Sequence, residues 1–481
     1  MGLLNKIASQ TAIYGLSSML GRFINFLLVI PHTSYLKSVG SYGDITSVFA
    51  IMAFMNVVLT YGMETTYFYF IRSGKDAKTV FANGQKSLLA STLLFAAMAY
   101  LLAPAIAPTI GFSGHVDYLY ACLIFLVFDT LSALPFARLR HEEKPLKYAF
   151  VKLFNIGINV SLNLYFLIQT PEVLSHLSQV NLILLANAIA SFASFLVLSP
   201  LAFDIAAPFE WTLLKSMLKY AWPLIFVGLA GIVNETLDRT LLKVMLSDEE
   251  GSYQNGIYGA FYKLTMVMTM FVQAYRFAAE PLFFKQADNH QSKENYANIM
   301  YWFIGVCLMI FLLCMFYIEP LAHLFIRNPD FFKDSRGLYV VPILLLANLF
   351  LGIYYNLSIW YRFTNKTQTG AVVAISGALI TIVGNWICIP IFGFVACAWI
   401  TLLVYAGMCV AAYYLGQQHY HVPYQVKSYL INIGVAIVIW LGIDHYLPIG
   451  LSPLIKELLH ILGILLLLGA IWIHRPKVKI H

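Results

Sequence analysis

The sequence predicts an all-α polytopic membrane protein of about 14 transmembrane helices, built as two pseudo-symmetric six-helix lobes plus two C-terminal helices. Three observations predict it: too little charge for a water-facing surface, apolar runs of spanning length, and a motif repeated at a fixed offset. Hydrophobic residues make up 60% of the 481, Asp, Glu, Lys and Arg only 11%, and the mean hydropathy is +0.75. A soluble domain carries about 25% charged residues. These numbers exclude a cytoplasmic enzyme, a secreted disulfide scaffold, a disordered tail and a nucleic-acid binder. The net charge of +7 is spread as a membrane bias rather than gathered in a patch.

A spanning helix needs about 20 mostly apolar residues. Such runs fall at 10–31, 45–70, 86–107, 116–137, 148–169, 180–203, 218–245, 255–283, 298–318, 338–361, 368–391, 394–415, 427–447 and 453–474. The first carries Arg22 near its middle and lacks a signal-peptide cleavage site, so it reads as a retained span. The eleventh and twelfth are separated only by a tight Pro390–Gly393 turn, and the seventh holds Asn234, Glu235, Asp238 and Arg239. With the N-terminus in the cytoplasm, nineteen Lys and Arg fall inside and six outside, which orients both termini inward. The six cysteines, Cys122, Cys307, Cys314, Cys388, Cys397 and Cys409, sit in apolar runs with no CxxC spacing. They read as buried hydrophobes rather than metal ligands or disulfides, and no metal or cofactor is expected.

The expected organisation is an N-terminal lobe at 1–204, a cytoplasmic interfacial linker at 205–217, a C-terminal lobe at 218–416, and two added helices with a tail at 417–481. Residues 208–220 read either as a short interfacial helix or as a linker running straight into helix 7. The repeat rests on GSYG at 40–43 and GIYG at 256–259, offset by 216 residues, with Glu64 and Glu280 each 24 residues further on. Both copies start on the same side, so the repeat is parallel, with its axis along the membrane normal.

Ionisable groups in a bilayer are costly and usually face an interior cavity or a partner. Here they fall in helical register: Asn56, Thr60, Glu64 and Tyr67 in helix 2; Lys152, Asn155, Asn159 and Asn163 in helix 5; Thr269, Gln273, Arg276 and Glu280 in helix 8. Helix 1 adds Ser18, Arg22 and Asn25, and helix 7 its Asn234–Arg239 cluster. Two lobes meeting across a hydrated, charged cleft is the geometry of alternating access. Arg22, Lys152, Arg239, Lys263 and Arg276 supply positive charge suited to phosphate. Asn25, Asn155, Asn159 and Gln273 supply amides for a polar cargo, and Glu64, Asp238 and Glu280 either hold the arginines in place or couple transport by binding and releasing a proton or sodium ion. Each has a plainer alternative: Asp238 and Arg239 pairing with a neighbouring helix, Glu280 interfacial before Pro281, Lys152 snorkelling to the surface. Asp129 in helix 4 lacks register partners and reads as a local helix–helix bond. His419 and His421 read as a solvated loop pair.

The stretches YGMETTYFYF (61–70), LKYAWPLIFVGLAGIVNETLDRTLL (218–242) and NGIYGAFYKLTMVMTMFVQAYRFAAEPLFFK (255–285), with the topology, resemble the multidrug/oligosaccharidyl-lipid/polysaccharide exporter superfamily. Within it the chain resembles the polysaccharide-transporter branch of Wzx-type flippases. The resemblance implies translocation of a polyprenyl-diphosphate-linked oligosaccharide across a bacterial cytoplasmic membrane, for O-antigen, capsule or exopolysaccharide, with an ion gradient and a polysaccharide polymerase as partners. The family's helix 2 feature usually ends in an arginine and an aromatic, where this chain has Tyr69 and Phe70. Three other readings stand beside it: a peptidoglycan-precursor flippase, a multidrug exporter of the same superfamily, which favours a carboxylate-dominated cleft, and a membrane polymerase or ligase. The last would carry a sizeable outside loop with catalytic basic residues, whereas the longest loop here, 319–337, holds only Arg327, Lys333 and Arg336.

Overall fold

The computed structural model describes residues 2–285, 292–364, 366–444 and 452–475, and among these there are helices and no strands. In chain order the α-helices are α1 (Gly2–Leu27), α2 (Val29–Tyr35), α3 (Val39–Thr60), α4 (Met63–Arg72), α5 (Ala77–Thr109), α6 (Val116–His141), α7 (Pro145–Gln169), α8 (Gln179–Ala202), α9 (Trp211–Met245) and α10 (Asp248–Leu264). They continue with α11 (Met266–Lys285), α12 (Ser292–Phe316), α13 (Ile318–Phe325), α14 (Arg336–Leu357), α15 (Trp360–Phe363), α16 (Thr367–Phe392), α17 (Phe394–His419), α18 (Val426–Asp444) and α19 (Pro453–Ile473). Every predicted span coincides with helix over most of its length among the described residues. Among the described residues, 12 helical stretches are long and apolar enough to cross a membrane. The first and eighth predicted spans do not reach that mark: they are helical as α1–α2 and α10–α11, but polar and interrupted.

Local chemistry explains several boundaries. Ser38, Asp76, Ser178 and Ser452 cap α3, α5, α8 and α19 by accepting a hydrogen bond from a backbone N–H three residues on. At Asp76 the backbone and hydroxyl of Thr79 both donate to the carboxylate, and those bonds hold its pKa below the ordinary value. The turn between α16 and α17 is closed by Gly393 at φ 59°, a left-handed conformation natural to glycine. The span predicted at 45–70 is split: Tyr61 (φ 31°) and Gly62 (φ 65°) are both left-handed, ending α3 and starting α4.

Residues 211–220 continue unbroken into α9. Its 35 residues span about 52 Å at 1.5 Å per residue, well beyond a hydrocarbon core of about 30 Å. The first turns are anchored: Leu213 and Met217 pack into a cluster with Met63, Tyr67, Phe81, Leu88 and Leu134, while Trp211 and Leu218 are exposed.

Contacts divide the chain into two units: Met1–Ala260 with Ile326–Asp334 and Ala378–Cys397, and Phe261–Phe325 with Ser335–Gly377 and Ala398–His481. In the first unit, the two copies of the repeated motif pack on one another. A Cβ on Gly43 would overlap the carbonyl of Ser252 and lie 2.7 Å from the Gly256 nitrogen, and one on Gly256 would overlap the carbonyl of Val39. Helices α3 and α10 therefore touch backbone to backbone. In the second unit, Tyr301, Asn432 and His474 form a hydrogen-bonded chain tying α12 to α18 and the end of α19. His460 of α19 stacks on Phe316 at 4.4 Å.

Candidate functional site

The predicted register of helix 2 and helix 5 converges in the first unit. Asn56, Thr60 and Glu64 from α3–α4, with Lys152 and Asn155 from α7, line one cavity of about 440 Å³. Its remaining wall is α6 and α8: Asp129, Ser132, Phe136, Arg140 and Ser194, with Tyr148 from α7. Two cations and two carboxylates thus share a space set among amides and hydroxyls.

The charged groups are held differently. Glu64, in the first turn of α4, forms an ion pair with Arg140 near the end of α6. The Arg140 guanidinium also lies 5.2 Å from the centre of the Phe68 ring, and its Nε is buried with no hydrogen-bond partner among the described residues. Among the described residues Lys152 makes no such pair; its Nζ sits 4.2 Å over the Phe136 ring, a cation–π contact. Phe136 packs edge-on against Tyr148 at 5.2 Å, and Tyr148 against Tyr14 at 5.0 Å. Asp129 lies near Ser191 and within electrostatic reach of Lys152.

The other predicted residues lie elsewhere. Arg22 and Asn25 are exposed side chains of α1 and are not among those lining the cavity. Asn159 is buried, and its oxygen accepts from Asn163, which also meets His32 at 3.0 Å. That chain of amides ties α7 to α2. Asp238 is buried and accepts from Tyr258 at 2.7 Å, while Arg239 donates to the Glu235 carbonyl at 3.3 Å. In the second unit, Lys263 and Gln273 are half-buried, and exposed Arg276 lies 4.7 Å over the Tyr355 ring. The Glu280 side chain lies outside the described residues.

Sequence reasoning misses two charged members of the cavity. It counts Arg140 among the cytoplasmic loop charges and gives Asp129 a local helix bond. The signal that points to Arg140 is its position two residues beyond Arg138 on a helix that runs to His141. Arg138 pairs instead with Asp204 and Glu142 and lies 4.9 Å over the Phe81 ring, while Arg140 faces the cavity. A second cleft, of about 510 Å³ and mostly apolar, lies in the second unit between α11 and α12, lined by Phe271, Tyr275, Trp302 and Phe303 with Asn295 and Asn298. Among the described residues no cluster of three or more His, Cys, Asp or Glu is placed to hold a metal ion.

Comparison with known proteins gives the fold a setting. The MatE family model matches residues 234–387, about a third of the chain. No curated protein matches. Among solved structures, the chain is similar to lipid II flippase MurJ in an inward closed conformation: TM-score 0.72, 13% identity, 95% of this chain and 98% of that one covered. It is also similar to an inward-facing multidrug resistance MATE family transporter of the MOP superfamily (0.63, 12%, 85% and 94%). The MATE multidrug transporter DinF-BH is a third similar structure (0.58, 18%, 85% and 95%). The all-helical fold is that of MOP-superfamily transporters.

Proposed function

We propose that the chain is a flippase that moves a polyprenyl-diphosphate-linked oligosaccharide across the bacterial cytoplasmic membrane by alternating access, for surface polysaccharide biosynthesis. In this reading it performs no covalent chemistry, is multi-pass with both termini cytoplasmic, and works beside a polysaccharide polymerase. The observation that carries the reading is the mixed cavity of Arg140 and Lys152 among Asn56, Thr60, Asn155 and Tyr148. Cations suit a diphosphate, and amides and hydroxyls suit sugar hydroxyls. Arg22, Arg239, Lys263 and Arg276 are proposed to meet the headgroup along its path, with Asn25, Asn159 and Gln273 on the sugars. Glu64, Asp238 and Glu280 are the proposed groups for coupling to a proton or sodium gradient. Support also comes from coverage: the similarity to the lipid II flippase extends over 95% of the chain, that to the multidrug transporters over 85%.

Glu64 and Asp129 in the same cavity favour a second reading, a multidrug exporter, because paired carboxylates suit a cationic drug. Proteoliposomes separate the two. Transbilayer movement of a fluorescent polyprenyl-diphosphate oligosaccharide, lost in Lys152→Gln, supports the flippase. No movement of the glycolipid, with gradient-driven expulsion of a cationic dye, replaces it with the exporter.

A further inference from the structure

The Glu64–Arg140 pair spans the mouth between α4 and α6 in an unusual setting. Glu64 lies directly after the Tyr61–Gly62 break, so α4 is a separate 10-residue helix, anchored by Met63 and Tyr67 in the cluster it shares with α5, α6 and α9. A non-glycine residue in the left-handed region, as Tyr61 is, costs about 1–2 kcal/mol, so the break is imposed rather than preferred. Arg140 has its carboxylate partner on one nitrogen while its Nε is buried and unsatisfied, an arrangement that costs free energy. Both side chains are partly open, at 46% for Glu64 and 32% for Arg140. Lys152, lining the same cavity, has no carboxylate at ion-pair distance among the described residues.

From these observations we infer that Glu64 is an internal placeholder on Arg140: an incoming diphosphate takes over the guanidinium, using its unsatisfied Nε together with Lys152, and so displaces the Glu64 carboxylate. The inference rests on the flippase reading and adds to it a carboxylate that the headgroup must displace. A guanidinium binds phosphate through two parallel N–H donors, whereas the Glu64 carboxylate holds only Nη2. The diphosphate therefore offers Arg140 a bond that its resident partner does not.

A placeholder has a signature that a structural salt bridge lacks: removing it tightens the ligand. The test uses the purified full chain in lipid nanodiscs, titrated calorimetrically with polyprenyl diphosphate and, separately, with inorganic pyrophosphate. Unfolding temperature is measured on each variant. Glu64→Gln is expected to bind polyprenyl diphosphate about fivefold tighter, the equivalent of an exposed ion pair of about 1 kcal/mol. Glu64→Asp falls between, and keeps the test open if the Gln variant fails to fold. Arg140→Gln loses binding at least about tenfold, and Glu64→Gln added to it gives no recovery. Tightening for both ligands assigns the site to the diphosphate itself; tightening for the lipid alone assigns it to the lipid-linked form. Unchanged or weaker binding in folded Glu64→Gln and Glu64→Asp overturns the placeholder, and leaves the flippase standing if the wild type still moves the fluorescent glycolipid. Absence of binding in every variant, with dye expulsion intact, overturns both.

Discussion

Lys243 Nζ lies 2.8 Å from Asp44 Oδ1, with the lysine side chain only 4% exposed. The ammonium also meets the Asp248 carbonyl at 3.0 Å and the Ser252 hydroxyl, which itself donates to Asp44 at 2.7 Å. One buried cation thus joins α3, the end of α9 and the start of α10, beside the seam where the two glycine motifs pack. Removing one partner of a buried pair strands a charge, which costs about 3–5 kcal/mol, whereas replacing both with apolar groups is often neutral. Asp44→Asn is expected to lower the unfolding temperature sharply, and Asp44→Leu with Lys243→Met to restore most of it; thermal unfolding in detergent measures both.

The glycine seam makes a paired prediction. Gly43→Ala pushes a methyl into backbone atoms of α10 that cannot move aside, and overpacking of this kind costs about 1–3 kcal/mol. Gly157 in α7 meets open space in the direction of a Cβ. There the same substitution is expected to be neutral or to stabilise by up to about 1 kcal/mol. Chemical denaturation of the two variants side by side gives opposite signs.

The loop side of α6 carries a pH dependence of definite sign. Burial pushes the Glu142 carboxyl up, but hydrogen bonds from Lys144 and Arg138, each 2.6 Å, prevail and hold its pKa below the ordinary value. A carboxylate with a lowered folded pKa contributes stability that is complete above the unfolded value, about 4.3, and lost as pH falls through the folded one. Glu142→Gln is therefore expected to be less stable than wild type at neutral pH, by about 0.5 kcal/mol after solvent screening. The gap closes as pH drops below about 4, and unfolding temperature against pH measures it.

Transport separates the cations of the cavity from those on the exposed face of α1. Lys152→Gln is expected to slow glycolipid movement at least about tenfold, the loss of one charge-assisted contact of about 1.5–3 kcal/mol. Arg22, exposed on α1, meets the headgroup only along its path, so Arg22→Gln is expected to slow movement less. Initial rates in proteoliposomes of matched protein content decide the order.

The sequence carries the helices well because spanning length and apolar content act over about 20 residues and tolerate local noise. It also carries the register of Asn56, Thr60 and Glu64 and of Lys152 and Asn155, since helical spacing alone puts each set on one face. It does not carry the Tyr61–Gly62 break, because a left-handed tyrosine has no composition signal. Arg140 is hidden by the positive-inside rule, which treats every basic residue near a helix end as a loop charge. Neither Arg138, paired with Asp204 and Glu142 at 13% exposure, nor Arg140, lining the cavity, is a solvated loop charge. Asp129 escapes notice for lacking register partners on its own helix, although its neighbours in the cavity come from α3, α7 and α8.

The most direct test of the central claim is to ask where the headgroup sits. A polyprenyl-diphosphate oligosaccharide carrying a photoreactive group on its first sugar is crosslinked to the wild-type chain in nanodiscs, and the adducts are mapped by peptide mass spectrometry. The account predicts adducts on α4, α6 and α7 around Glu64, Arg140 and Lys152, displaced by excess unlabelled glycolipid and lost in Arg140→Gln. Adducts spread over lipid-facing surfaces and indifferent to competitor, with none on these three helices, would contradict it.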